Sequence, residues 1–112
     1  MQRVRKMVAG EAPEGTDGRG VTVAVLDTGM GDHPDLRGRA VCFRDFVGRR
    51  RFLYDDSGHG THVCGILCGS GRLSGGRLRG MAPGVRLVLG KVLDRNGDGS
   101  TEAMLEGLDW VL

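Results

Sequence analysis

An α/β fold built on a doubly wound parallel sheet is the architecture this 112-residue sequence predicts, and three observations carry it. Apolar, β-branched runs recur without the alternation of a half-solvated sheet. Segments with helical spacing stand between and after them, in the order β–β–α–β–α. Glycine, at 21 residues, flanks the apolar runs and repeats neither with a period nor with proline, which excludes collagen-like and linker readings. The length suits one domain. With aromatics at 4%, its core must come from Val, Leu, Ile, Met and Ala.

The elements follow in order. Residues 1–20 are polar, glycine-rich and aperiodic, an N-terminal arm ahead of the domain proper at 21–112. Val21-Thr22-Val23-Ala24-Val25-Leu26 predicts a strand buried on both faces, as in a parallel sheet. It runs into Asp27-Thr28-Gly29, so a carboxylate stands at a strand's C-terminal end, the edge where open α/β sheets bind ligands. His33-Pro34-Asp35-Leu36 predicts a turn or one helical turn, and Val41 to Phe46 a second strand. A charged loop, Arg49 to Ser57, leads to Gly58-His59-Gly60-Thr61-His62, after which Val63, Ile66 and Leu67 keep helical spacing. Gly69 to Gly80 predicts a loop and Val85 to Leu93 a third strand. Past the turn residues Asp94 to Gly99, Ser100 or Thr101 caps a helix from about Glu102, with Met104, Leu105, Leu108 and Val111 on one face. That helix reaches the last residue without a glycine stop, and a crossover helix ordinarily delivers the chain to another parallel strand. The sheet is therefore expected to be incomplete.

Several function classes fall away. A net charge of +2, with basic clusters only at Arg3 to Lys6 and Arg49 to Arg51, gives no nucleic-acid footprint. No stretch approaches the roughly 18 apolar residues of a membrane span. The first residues lack the apolar region of a secretory signal, which favours a cytoplasmic location as an expectation. Cys64 and Cys68 stand four apart on one helix, where geometry disfavours a disulfide, so buried thiols in a reducing compartment are expected.

Two residues point to chemistry. Asp27, after a largely apolar run of six residues, is poorly solvated unless a donor or a positive charge meets it, although a strand-end Asp also caps turns. His59 lies between glycines that let the backbone pack tightly while the imidazole faces outward. An Asp on a strand end and a His at a helix start can meet above one sheet edge, and an imidazole oriented by a carboxylate is the base of a nucleophilic site.

The residues around this pair resemble the subtilisin-like serine proteases. Val23 to Gly29 is similar to that family's aspartate motif, and Ser57-Gly58-His59-Gly60-Thr61-His62-Val63-Cys64-Gly65 to its histidine motif. His33-Pro34-Asp35-Leu36, and Gly80-Met81-Ala82-Pro83 followed by Leu89-Gly90-Lys91-Val92-Leu93, match further family segments in the same order. The resemblance implies a sheet of subtilisin type, with 21–112 the N-terminal part of a catalytic domain. It implies a serine endopeptidase acting on peptide or protein substrates, with Asp27 orienting the imidazole and His59 the general base, His62 being structural. Leu93, Gly97, Asp98 and Gly99 then form the edge on which a substrate lies as an added strand, with Asp98 placed to favour a basic substrate residue.

The departures matter as much. No nucleophile is expected among Ser57, Ser70, Ser74 and Ser100, which lack the family's serine context, and the oxyanion Asn is absent too. Alone, these 112 residues are expected to be inactive, and an inactive peptide-binding module on the Gly97–Gly99 edge is the alternative. Many family members hold calcium with an aspartate like Asp35 and the loop after the catalytic helix. Here Gly69 to Gly80 carries no Asp, Asn or Glu, which argues against it. An EF-hand counted from Asp94 fails at its twelfth position, Leu105, and a zinc site from His59, His62 and Cys64 lacks a recognised ligand spacing. No cofactor or metal is expected.

Overall fold

The computed structural model describes residues 17–75 and 79–112. Three strands, β1 (Thr22–Asp27), β2 (Ala40–Asp45) and β3 (Arg86–Lys91), form a parallel sheet in the order β1–β3–β2. Asp27 and Asp45 both stand opposite Lys91, so the two outer strands bring carboxylates to one level at the sheet's C-terminal edge. Helix α1 spans His59–Cys68 and helix α2 Thr101–Val111, with single 3-10 turns at Pro34–Leu36 and Arg72–Ser74.

Side-chain alternation divides the core into two layers. Val23 and Val25 of β1, Phe43 of β2 and Leu87 and Leu89 of β3 pack with Cys64 and Cys68 of α1, together with Met30, Leu36, Ala82 and Val85. Leu26, Phe46 and Val92 turn the other way and pack with Ala103 and Trp110 of α2. Helices on opposite faces of a parallel sheet make the fold doubly wound. Leu87 and Leu89 are fully buried on the central strand, each contributing about 1.5–3 kcal/mol.

Two expectations are corrected. β1 is not buried on both faces: Val21, Thr22 and Ala24 are exposed, because α2 packs only over the strand's C-terminal end at Leu26. Nor does α2 turn its long apolar residues inward. Met104, Leu105 and Leu108 are about half exposed, and the helix seats Ala103, Gly107 and Trp110 instead. The contact is too close for the longer stripe. A Cβ on Gly107 would come within 2.7 Å of Val92 Cγ1, while the Trp110 ring meets Phe46 edge-on at 5.7 Å.

The expected arm at 1–20 lies outside the described residues up to 16. Its last residues turn at Gly18, and the Asp17 carbonyl accepts from the Gly84 N–H. Cys64 and Cys68 are free and fully buried, whereas Cys42 is exposed. Among the described residues no helix is long and apolar enough to cross a membrane.

Candidate functional site

The site begins where β1 ends. Asp27, its side chain 13% exposed, accepts at Oδ1 from the Thr28 N–H at 2.6 Å and from His59 Nδ1 at 2.8 Å. His59 is the first residue of α1, with 65% of its side chain exposed. A carboxylate only accepts, so Nδ1 carries the proton and Nε2 is left as an outward-facing base. The hydrogen bond to Asp27, reinforced by its charge, raises the His59 pKa above 6.5 against a small desolvation effect.

The close approach of the strand end and the helix start depends on local sequence. Gly58 takes φ 97° just before α1, and a Cβ on Gly60 would lie 2.1 Å from the Gly29 carbonyl. A glycine at 60 lets helix and strand end touch. The first N–H groups of a helix need outside acceptors, and no N-cap side chain supplies one here. The Thr28 hydroxyl accepts from the Gly60 N–H and the Asp55 carboxylate from the Thr61 N–H, each at 2.8 Å.

Asp55 is the hub of this arrangement. Its Oδ1 accepts from the Thr28 hydroxyl and from the Ser57 and Gly58 N–H groups, and its Oδ2 from both the N–H and the hydroxyl of Thr61. Burial pushes its pKa up, but the Thr61 hydroxyl and the three N–H donors outweigh that and hold the carboxyl well below the usual range. One side chain thus ties the segment after Asp27 to the segment carrying His59. Sequence reasoning passed over it as part of a charged loop, since a lone Asp ahead of a turn carries no signal of its distant partners.

Beside this hub, Asp45 anchors the loop that leads to α1. It accepts from the Val47, Gly48 and Arg50 N–H groups and, at 2.5 Å, from the Tyr54 hydroxyl. Burial opposes ionisation here too, yet those donors keep its pKa below the ordinary value.

The other sequence-predicted residues fall in distinct places. Leu93 stands beside the pair, its N–H reaching the Asp27 carbonyl at 3.2 Å. Gly97, Asp98 and Gly99 belong to an exposed turn and not to a strand. Asp94 closes it: its carboxylate accepts from the Asn96 and Asp98 N–H groups, its carbonyl from Gly97, and its own N–H donates to the Asp98 carbonyl. Among the described residues the Gly99 N–H and C=O have no hydrogen-bond partner. His62 is exposed and lines a cavity of about 740 Å³ with His33, Asp35 and Met81. Each serine serves backbone: Ser57, Ser70 and Ser100 accept from the N–H groups of His59, Arg72 and Ala103, and Ser74 donates to Gly71. Among the described residues no group of three or more His, Cys, Asp or Glu is arranged to hold a metal ion.

Known proteins share this arrangement of sequence and fold. A sequence model of the subtilase family matches residues 18–112. The chain is 47% identical over 95 residues to serine protease AprX of Bacillus subtilis, covering 85% of the chain and 22% of that relative. It is 42% identical over 100 residues to a thermostable alkaline protease of Halalkalibacterium halodurans, covering 88% and 26%. The crystal structure of a cold adapted subtilisin-like serine proteinase superposes with a TM-score of 0.76 at 39% identity, covering 88% of this chain and 34% of that one. The chain spans about a quarter of the length of these curated relatives.

Proposed function

The chain belongs to the subtilase family, and from that premise we propose that it carries the aspartate and histidine of a serine endopeptidase whose nucleophile lies outside these 112 residues. The observation that carries the reading is the 2.8 Å contact between His59 Nδ1 and Asp27 Oδ1 at the sheet's C-terminal edge. Asp27 holds the imidazole in one tautomer and stabilises the imidazolium. His59 Nε2 takes the proton of a serine hydroxyl as that oxygen attacks the scissile carbonyl. It then gives the proton to the leaving amine, and repeats the cycle with water as the nucleophile.

The segment after Leu93 supports the substrate assignment. Among the main-chain groups that the Asp94 turn leaves open are the Gly97 carbonyl and the Gly99 N–H and C=O, on alternate residues of the kind that pair with an extended peptide. Asp98 is exposed between them, and its charge favours a Lys or Arg on the substrate.

The test uses the complete protein, treated with a fluorophosphonate that labels activated serines and assayed for cleavage of unstructured peptides. Labelling and cleavage are expected, both lost in His59→Ala, and Asp98→Asn is expected to lower the preference for basic over neutral peptides a few-fold. A protein that binds peptides yet is neither labelled nor able to cleave them would sink the enzyme reading in favour of a binding module.

A further inference from the structure

Resting on that reading, we propose that Lys91 is a positioning residue that holds the Asp27–His59 pair and the substrate-binding segment in one frame. Lys91 ends the central strand, where Leu87 and Leu89 before it are apolar, and it is 1% exposed. Burying an ammonium costs several kcal/mol unless each of its hydrogens is met. Here all three are. Nζ donates to the Thr28 carbonyl at 2.8 Å, to the Leu93 carbonyl at 2.9 Å and to Asp56 Oδ1 at 2.7 Å. The Tyr54 ring, held by Asp45, covers the ammonium at 5.1 Å.

The three acceptors belong to three separate parts of the site. Thr28 follows Asp27, Asp56 stands three residues before His59, and Leu93 is the root of the segment ending in Gly97–Gly99. One cation therefore links the three segments that carry the base, the orienting carboxylate and the substrate edge. An apolar residue of the same volume would leave one buried and one partly buried carbonyl unmet, and the planar fork of an arginine does not fit three convergent acceptors. Displacement of these segments by even an ångström is costly to a reaction that depends on their alignment.

The experiment separates positioning from mere stability. In the complete protein, titration with a sulfonyl fluoride fixes the concentration of functional sites. Values of kcat/KM are then compared for a tetrapeptide amide, which engages the substrate edge, and a single-residue ester, which does not. Lys91→Met is expected to lower kcat/KM for the amide roughly tenfold more than for the ester. Asp56→Ala, altered on a side chain 38% exposed, carries the same test should Lys91→Met not fold, with an amide-specific loss of about threefold expected. Equal losses on both substrates would confine any effect of Lys91 to the catalytic pair or to stability, and so overturn the shared frame while leaving the protease reading intact. A wild-type protein that neither titrates nor cleaves overturns the protease reading itself.

Discussion

Two stretches of the sheet's C-terminal edge are built on opposite terms. Around Asp27 and His59 nearly every polar group is committed: Thr28, Asp55 and Thr61 interlock, and Asp45 fixes the loop between β2 and α1. From Asp94 to Gly99 a single carboxylate closes a turn, and the backbone beyond it stays uncommitted. On the proposed function, the difference separates two tasks. A proton-transferring pair depends on fixed geometry, whereas a surface that accepts a peptide as an extra strand depends on unpaired N–H and C=O groups.

That contrast is open to attack, beginning with the pair itself. If the complete protein is the protease proposed above, Asp27→Asn is expected to lower its kcat by about 10⁴-fold, the usual cost of losing the orienting carboxylate in such triads. It also shifts the pH profile. On the proposed reading His59 acts in its neutral form, and its pKa is raised above 6.5 mainly by the hydrogen bond to Asp27. The acid limb of kcat/KM therefore lies above pH 6.5 and moves to lower pH in Asp27→Asn. In linkage terms, the His59–Asp27 interaction stabilises the fold at pH values below 6.5 and is lost as pH rises through the raised value. Both statements are checked by a pH series on wild type and variant, and an unmoved limb would break the assignment of His59.

The next largest effect concerns the hub. Asp55→Ala leaves three N–H groups and two hydroxyls short of an acceptor, and about 3 kcal/mol of stability is expected to go with them. Because the Asp55 pKa is depressed, its contribution is present above pH 3.8 and fades as pH falls toward the folded value. Urea titration of the two proteins at pH 7 measures the difference. A loss under ~1 kcal/mol would show that the interlock is less demanding than its geometry.

The smallest effect belongs to the open segment. A Cβ on Gly99 would lie 2.6 Å from the Val92 carbonyl, so the exposed segment around Gly99 must shift to accommodate it. Gly99→Ala is expected to raise KM for extended peptides roughly tenfold while shifting urea stability by less than about 1 kcal/mol, because the displaced segment lies at the surface. An unchanged KM would detach Gly99 from substrate binding and narrow the contrast between the two stretches.

Much of the architecture was written plainly in the chain. The three strands come from β-branched runs, and the meeting of Asp27 with His59 follows from placing one at a strand end and the other at a helix start. The rest resisted for physical reasons. Asp55 acts through Thr28 and Thr61, partners far away along the chain whose identities suggest nothing singly. The face that α2 buries differs from the one its spacing predicts because hydrophobic spacing rewards large residues, while a close helix–sheet contact at Val92 selects for small ones such as Ala103 and Gly107. The apolar run of β1 promised burial on two sides, but burial depends on what covers a strand, which its own residues do not encode.

The two sulfur atoms inside α1 have a practical consequence. Burial pushes the Cys64 thiol up to about 12 and raises that of Cys68 as well, so neither yields appreciable thiolate at neutral pH. Alkylating reagents and oxidants therefore find one accessible address among the described cysteines, Cys42 on β2, where a fluorophore or cross-linker is attachable while the interior of α1 stays chemically silent.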